Sequence, residues 1–306
     1  MKLFSCLFLL LSIGYFGNAQ ISIKYQSKDS ILFVPQKIEW LDLNCEDLEV
    51  FSRETEKLSN LKILYLDNCR LSDLPESVRF IPSLKILNVS GNQLSKIPSE
   101  FKSLQNIDVI NVRGNAFKKL PKVLMNFPLL RELDLGENDA LQLKKSMQVL
   151  SGIKLLDKLY LDGTGIRKLP KKFTELKILQ ELSIGNNREM DMIQMFDVLS
   201  DMKSLQVLSL ENSAITELPS NLSTISSLAG LVLDQNEEID MESVIDYVQK
   251  SGNIKVLLLR SNNLTTLPDN LSGLSGLAVL ELGENQFSDA EQQRITEALK
   301  DTKVNF

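Results

Sequence analysis

The segment Leu61-Lys62-Ile63-Leu64-Tyr65-Leu66-Asp67-Asn68-Cys69-Arg70-Leu71, followed by the dipeptide Leu74-Pro75, decides the fold. Its fourth and sixth residues alternate with polar or aromatic neighbours, as in a short strand with one face turned inward. The same pattern recurs from Ile38, Leu61, Leu84, Ile107, Leu130, Leu156, Leu179, Leu205, Leu228, Ile254 and Leu277. Eleven copies in register exclude chance. A single copy has nothing against which to bury its leucines, so neighbouring copies must stack around one continuous core.

The ninth position is Asn at 92, 115, 138, 187, 236, 262 and 285. A chain turning out of a strand points backbone groups inward, and an amide side chain both donates and accepts there. Cys69, Thr164 and Ser213 take the same slot with smaller side chains, and Glu46 departs outright in the first repeat. Starts are 23 residues apart for four intervals, after which 26 and 23 alternate, so a 49-residue pair is copied as a unit. Pro75, Pro98, Pro121, Pro170, Pro219 and Pro268 each follow their start by fourteen residues. Proline removes a donor and fixes φ, which predicts extended returns in those repeats. The 26-residue repeats lack it and show helical spacing instead: Leu143, Met147 and Leu150; Met192, Phe196 and Leu199; Met241, Val244, Ile245 and Val248. Ser288-Asp289-Ala290-Glu291 is a capping-box signal for a closing helix.

The pattern L-x-x-L-x-L-x-x-N-x-L resembles the repeat of the leucine-rich repeat family, from residue 38 nearly to the end of the chain. The resemblance implies an α/β solenoid curved like a horseshoe, with a parallel concave sheet and a convex side of mixed extended returns and short helices. The expected division is a signal peptide at 1–19, an N-terminal cap at 20–37, eleven repeats at 38–287, and a C-terminal capping helix and tail at 288–306.

Composition narrows the chemistry. The 306 residues include no histidine, which removes Ser-His-Asp and Cys-His nucleophiles and His-ligated metal sites. A phosphate-cradling glycine loop and zinc spacing are also missing from the sequence. No cofactor is expected. Catalysis would have to run on carboxylates, Lys, Tyr or Ser, and the solenoid leaves no room for a catalytic domain. A net charge of −6 gives no overall attraction for nucleic acid. The reading is therefore a non-catalytic recognition module with a protein partner first and a glycan second. Adhesion by self-association is the alternative.

Family members usually bind along the concave face, which implicates the outward strand residues at positions three, five and seven. These include Trp40, Asp42, Tyr65, Asp67, Asn88, Asn111, Arg113, Asp134, Tyr160 and Asp162. Position five alone runs Asp42, Tyr65, Asn88, Asn111, Asp134, Tyr160, a row roughly 25 Å long. Rings that anchor and amides that adapt suit recognition. Strands also favour aromatics and solvent favours polar residues, so the same row has a plain structural reading. A second cluster is basic: Lys118, Lys119, Lys122, Lys144, Lys145, Arg167, Lys168, Lys171 and Lys172. It forms a flank stripe suited to an anionic glycan, a lipid headgroup or an acidic protein, or simply to solvation. Asp234, Asn236, Glu238 and Asp240 alternate like a calcium loop, but Ile239 and Ile245 stand where Gly and Glu are needed. Cys45 and Cys69 occupy positions eight and nine of adjacent repeats. The sequence leaves open whether they are bridged, because the family consensus itself accepts Cys at position nine.

Lys2, the apolar run Leu3 to Phe16 and the small residues Gly17-Asn18-Ala19 form an export signal. The run is too short to span a bilayer comfortably, so the mature chain is expected to begin at Gln20 and to be exported to a periplasm, a surface or the medium. Intact mass of protein from its native host should match a chain starting at Gln20. A mature species retaining Phe4 to Phe16 would show an uncleaved anchor instead.

Overall fold

The computed structural model describes residues 24–219 and 225–306; the expected signal peptide and residues 20–23 of the expected cap lie outside them. Among the described residues, thirteen strands pair in parallel and in chain order to form one sheet. They are β1 (Lys24–Tyr25), β2 (Trp40–Asp42), β3 (Ile63–Tyr65), β4 (Ile86–Asn88), β5 (Val109–Asn111), β6 (Glu132–Asp134) and β7 (Lys158–Tyr160). The series continues with β8 (Glu181–Ser183), β9 (Val207–Ser209), β10 (Gly230–Val232), β11 (Val256–Leu258), β12 (Val279–Glu281) and β13 (Lys303–Asn305). Strands β2 to β12 occupy positions three to five of the eleven sequence repeats, and equivalent positions pair across neighbours, as in Asp42↔Tyr65 and Asp134↔Tyr160. The fold is a solenoid.

Stacking in register buries the same positions every time. Position four, from Leu41 to Leu280, is at most 2% exposed in every repeat, and position six, from Leu43 to Leu282, at most 4%. Removing one such leucine side chain would cost ~2–5 kcal/mol. The returns on the other side of the core complete it. Helices α1 (Lys28–Phe33), α2 (Leu48–Glu54), α3 (Leu143–Leu150), α4 (Met192–Leu199), α5 (Met241–Ser251) and α6 (Asp289–Ala298) alternate with tighter turns. Helices α3, α4 and α5 fall in the 26-residue repeats, as their apolar spacing predicts. Helix α2 was not anticipated; it lies in the first repeat, which has Ser52 where the next repeats have proline.

The proline-bearing returns correct the expectation of extended backbone. Pro75, Pro98, Pro121 and Pro170 are themselves extended, with ψ between 124° and 142°, but each opens a five-residue 3-10 turn, such as Ser99–Ser103 and Lys171–Glu175. Proline suits the entry to such a turn because its missing N–H has no partner to lose there. Phe101 and Phe173 point from these turns into the core. The leucines before Pro121, Pro170 and Pro219 still have an N–H to satisfy, and the following helical repeat supplies its acceptor. Leu120 donates to Ser146 Oγ, Leu169 to Gln194 Oε1, and Leu218 to Ser243 Oγ.

The ninth-position asparagines act as expected from their chemistry. Asn138 is fully buried: its amide donates to Val112 O of the preceding repeat at 3.0 Å and to Leu135 O of its own at 2.8 Å. Its Oδ1 accepts the Phe117 N–H at 3.1 Å. Asn92, Asn115, Asn187, Asn236 and Asn285 repeat this tie between neighbours.

The exceptions at this slot follow a second rule. Position eight is left-handed in the second to eleventh repeats, with φ from +48° to +65°. Position ten joins it only at Arg70, Gly165, Ala214 and Asn263. Those four repeats are the ones that follow a repeat bearing α2, α3, α4 or α5. They carry Cys69, Thr164, Ser213 and Asn262 at position nine. With position ten reversed, the side chains of Thr164 and Ser213 bond only within their own repeats, whereas Asn262 keeps the tie backward by donating to Leu233 O and accepting the Asn236 N–H. The tie forward gains, since Asn92, Asn236 and Asn285 each accept two N–H groups from such a turn. At Cys69 the backward tie is covalent, because Cys69 is disulfide-bonded to Cys45 of the first repeat.

Both ends are closed. Strand β1 and α1 cover the first repeat, while α6, capped by Ser288 as its sequence predicts, and β13 cover the last. Strand β13 was not foreseen: Lys303-Val304-Asn305 is too short and too polar to announce a strand. Asn138→Ala should lower stability in urea by about 2–4 kcal/mol, because it strands buried backbone groups. Asn285→Ala, at a partly exposed end, should cost less than half as much. Equal losses would show that the ladder is not what joins the repeats.

Candidate functional site

Side chains at positions three and five of every strand point to the open face of the sheet. In-register stacking lines them up, and they divide the face into three zones. At the N-terminal end Trp40 and Tyr65 meet edge to face, with ring centroids 5.8 Å apart. Lys24 lies 5.5 Å from the centre of the Trp40 ring and forms an ion pair with Asp42 at 2.5 Å. The Gln26 amide donates to Asp42 at 3.2 Å. The Trp40 indole N–H is buried without an acceptor among the described residues. Tyr65 is half-buried, and burial raises its hydroxyl above the ordinary pKa. Asp67 extends this zone and accepts from the Asn88 amide at 3.5 Å.

The central zone is charged. Lys158 bridges Glu132 at 3.8 Å and Glu181 at 3.9 Å on the adjoining strands, and the Tyr160 hydroxyl donates to Glu181 at 2.9 Å. Arg113 faces three carboxylates: Glu137 at 2.9 Å, Asp162 at 3.7 Å and Asp134 at 3.9 Å. Burial disfavours the charged form of these acids. It pushes Glu132 up to about 7, reinforced by the nearby Glu181, Asp134 and Asp108 charges and opposed by Lys158. Burial likewise raises Asp134 to about 6, against the Gly136 N–H and Arg113. Asp162 and Glu181 are raised for the same first reason.

The structure brings the ten sequence-selected residues onto one face but does not leave them equally available. Asn88 and Asn111 accept the N–H two residues on, from Ser90 and Arg113, as Asp134 does from Gly136. Part of their polar capacity is thus spent on their own strands. Tyr160 corrects the expectation of a projecting anchor, since it is 8% exposed and committed to Glu181. Asp162 is buried and accepts from the Gly185 N–H and the Ser183 hydroxyl.

A third zone was missed. Val207, Val232, Val256, Leu258 and Val279 form an apolar cluster separate from the main core, on the same face of β9 to β12. Its signal was present in the near-continuous apolar strands Gly230-Leu231-Val232 and Val256-Leu257-Leu258. Beside it the Arg260 guanidinium binds the buried Asp234 at 2.6 Å. The suggested calcium alternation is otherwise employed: Asn236 belongs to the ladder and Asp240 caps α5 by accepting from Glu242 and Ser243. Among the described residues no group of acidic or cysteine side chains is arranged to hold a metal ion. All nine cations of the basic flank are exposed; Lys168 pairs with Asp191 at 3.2 Å and Arg167 with Glu189.

A parallel sheet built one strand per repeat, with a repeated Leu face and a variable open face, defines a class of repeat solenoid. Two family models match the chain, leucine rich repeat over residues 82–139 and leucine rich repeats (2 copies) over residues 59–103. A leucine-rich repeat protein of Leptospira interrogans has a similar structure, with TM-score 0.56 and 25% identity over 93% of this chain and 70% of that one. An internalin of Listeria monocytogenes is similar in fold, with TM-score 0.50 and 22% identity over 81% of this chain and 74% of that one. No curated protein matches the sequence. Residues 59–139 thus carry leucine-rich repeats, and the solenoid as a whole has the fold of leucine-rich repeat proteins, whose repeat domains generally mediate protein–protein interaction.

The raised carboxyls give a stability signature of defined sign. A group that binds its proton more tightly when folded stabilises the fold at low pH and loses that contribution as pH rises through its folded value. For Glu132 the window runs from about 4.5 to about 7. Glu132→Gln should therefore leave stability near pH 4.5 almost unchanged and raise it at pH 8 by about 1–3 kcal/mol. Thermal unfolding followed at both pH values checks this; an equal shift at both would show that the carboxyl does not titrate in the window.

Proposed function

We propose that this protein is an exported, non-catalytic recognition module that binds a protein partner across the open face of its sheet. The observation that carries this reading lies within the chain itself. Inward positions four and six repeat an apolar residue in every strand, while outward positions three and five change identity from strand to strand. Packing demands the first set and does not dictate the second. The outward set combines an aromatic pair, a charged centre and an apolar band, the mixture from which selective interfaces are built. The leader-like N-terminal sequence supports export, as does the Cys45–Cys69 bridge, since disulfides persist in oxidising compartments. Leucine-rich repeat domains are typically non-enzymatic, and the histidine-free composition agrees with that.

Trp40 and Tyr65 are the anchors in this reading, because they are less enclosed than Tyr160 and large rings dominate interface energy. Trp40→Ala with Tyr65→Ala should weaken capture of the partner from the native host's exported fraction by at least about thirtyfold. The fold should lose the pair's contact energy, about 0.5–1.5 kcal/mol, together with the partial burial of the two rings. Undiminished capture by the double variant would overturn the aromatic zone as the anchor. In the alternative reading the chain adheres by self-association; a size in solution that grows with protein concentration would favour it.

A further inference from the structure

We propose that the basic flank is a second binding surface, distinct from the open face, and that it takes a linear anionic polysaccharide. Three segments compose it: 118–122 after β5, 142–145 at the start of α3, and 167–172 after β7. Together they hold nine cations and no acidic residue. Hydrogen bonds fasten the first two segments side by side, with the Gln142 N–H donating to Lys118 O at 2.9 Å and the Leu120 N–H to Ser146 Oγ at 3.2 Å. The third occupies the equivalent place one repeat on, across the β6–β7 pairing. The cations therefore run along the solenoid axis.

Packing does not require lysine at these places. Where the fourth and sixth repeats read Lys118-Lys119-Leu120-Pro121-Lys122 and Arg167-Lys168-Leu169-Pro170-Lys171, the second reads Ser72-Asp73-Leu74-Pro75-Glu76. The tenth reads Thr265-Thr266-Leu267-Pro268-Asp269. The Leu-Pro is structural and the flanking positions are free, so the charge block is additional to the fold. An acid is also absent where the architecture elsewhere supplies one: Asp191 and Asp240 cap α4 and α5, while the same place before α3 is Gln142, which makes no side-chain cap. Only Arg167 and Lys168 have acidic partners; among the described residues the other seven form no ion pair.

The composition selects the ligand class. Eight of the nine cations are Lys, a compact point charge, rather than Arg, which grips planar groups in pairs. The three segments contain no aromatic residue, so they lack both the stacking platform of a nucleic-acid groove and the anchors of a protein hot spot. Bilayer binding would use apolar side chains beside the cations. Met125, Leu129 and Leu155 are exposed, but none lies within the three basic segments. What remains is a row of point charges advancing one strand spacing at a time, ~4.8 Å at the sheet. That step is close to one sugar unit of a polysaccharide chain.

Purified mature protein is titrated with dextran sulfate, polygalacturonate, neutral dextran, poly-glutamate and phosphatidylglycerol vesicles. Both anionic polysaccharides should bind, neutral dextran should not, and affinity should fall steeply between about 0.05 M and about 0.5 M salt. Charge reversal at Lys118, Lys119, Lys168 and Lys171 to Glu should weaken polysaccharide binding at least about thirtyfold, with unchanged thermal unfolding confirming the fold. The Trp40→Ala, Tyr65→Ala variant should bind polysaccharide normally, which separates this surface from the open face. Binding that survives charge reversal would overturn the proposal. So would poly-glutamate or vesicles bound more tightly than either polysaccharide.

Discussion

The structure depends on how a buried turn satisfies its own backbone. Each repeat strand contributes only three residues to the sheet before the chain must swing away, and that turn exposes carbonyls and amides to the interior. An unpaired buried polar group costs ~1–3 kcal/mol, a sizeable part of what one repeat gains by stacking. The asparagine at position nine answers both needs at once. Its amide gathers carbonyls from its own repeat and the preceding one, while its oxygen takes N–H groups from the preceding turn. The contact between repeats is therefore polar as well as hydrophobic, and it is directional. Leucines alone would permit repeats to slide; the ladder fixes their rotation.

That constraint explains the alternation along the chain. A helical return takes more residues than a 3-10 return, and the next turn adapts by placing a second residue in the left-handed region. Position nine then makes fewer bonds, and Thr164 and Ser213 fill it with side chains that bond only within their own repeats. The first repeat obeys the same rule although its length is 23 residues, which marks it as a helical member like the fifth, seventh and ninth. Cys69 belongs to this pattern. It stands in a slot whose backward hydrogen bond is lost, and its bridge to Cys45 supplies a covalent one.

Much of the fold was legible in the sequence because the repeat is written in buried leucines, and burial has no substitute. All eleven repeat strands and the three helices of the longer repeats follow from apolar spacing, and the closing helix from its capping box. What was not legible depended on backbone conformation or on few residues. The 3-10 turns after proline, α2 and β13 have no strong periodicity to betray them. The open face was legible only as a list of outward positions. Register shows which side chains share a row, but it does not show that the Tyr160 hydroxyl is taken by Glu181 or that Asn88 turns to its own strand. The valine band escaped notice because each member looks like an ordinary strand residue until four strands are placed together.

The bridge between Cys45 and Cys69 has a mechanical meaning as well. A solenoid pulled by its ends loads its repeats in series, and each yields when the few bonds joining it to its neighbour fail. The disulfide closes the loop between residues separated by 24 positions, so that segment adds nothing to the length of a chain under tension. About 80 Å of extension is thereby withheld at ~3.3–3.6 Å per residue. At the opposite end, α6 and β13 are held by hydrogen bonds and packing alone. A tethered molecule under load would therefore keep the segment from Cys45 to Cys69, with Tyr65 inside it, closed however far its other repeats unravel.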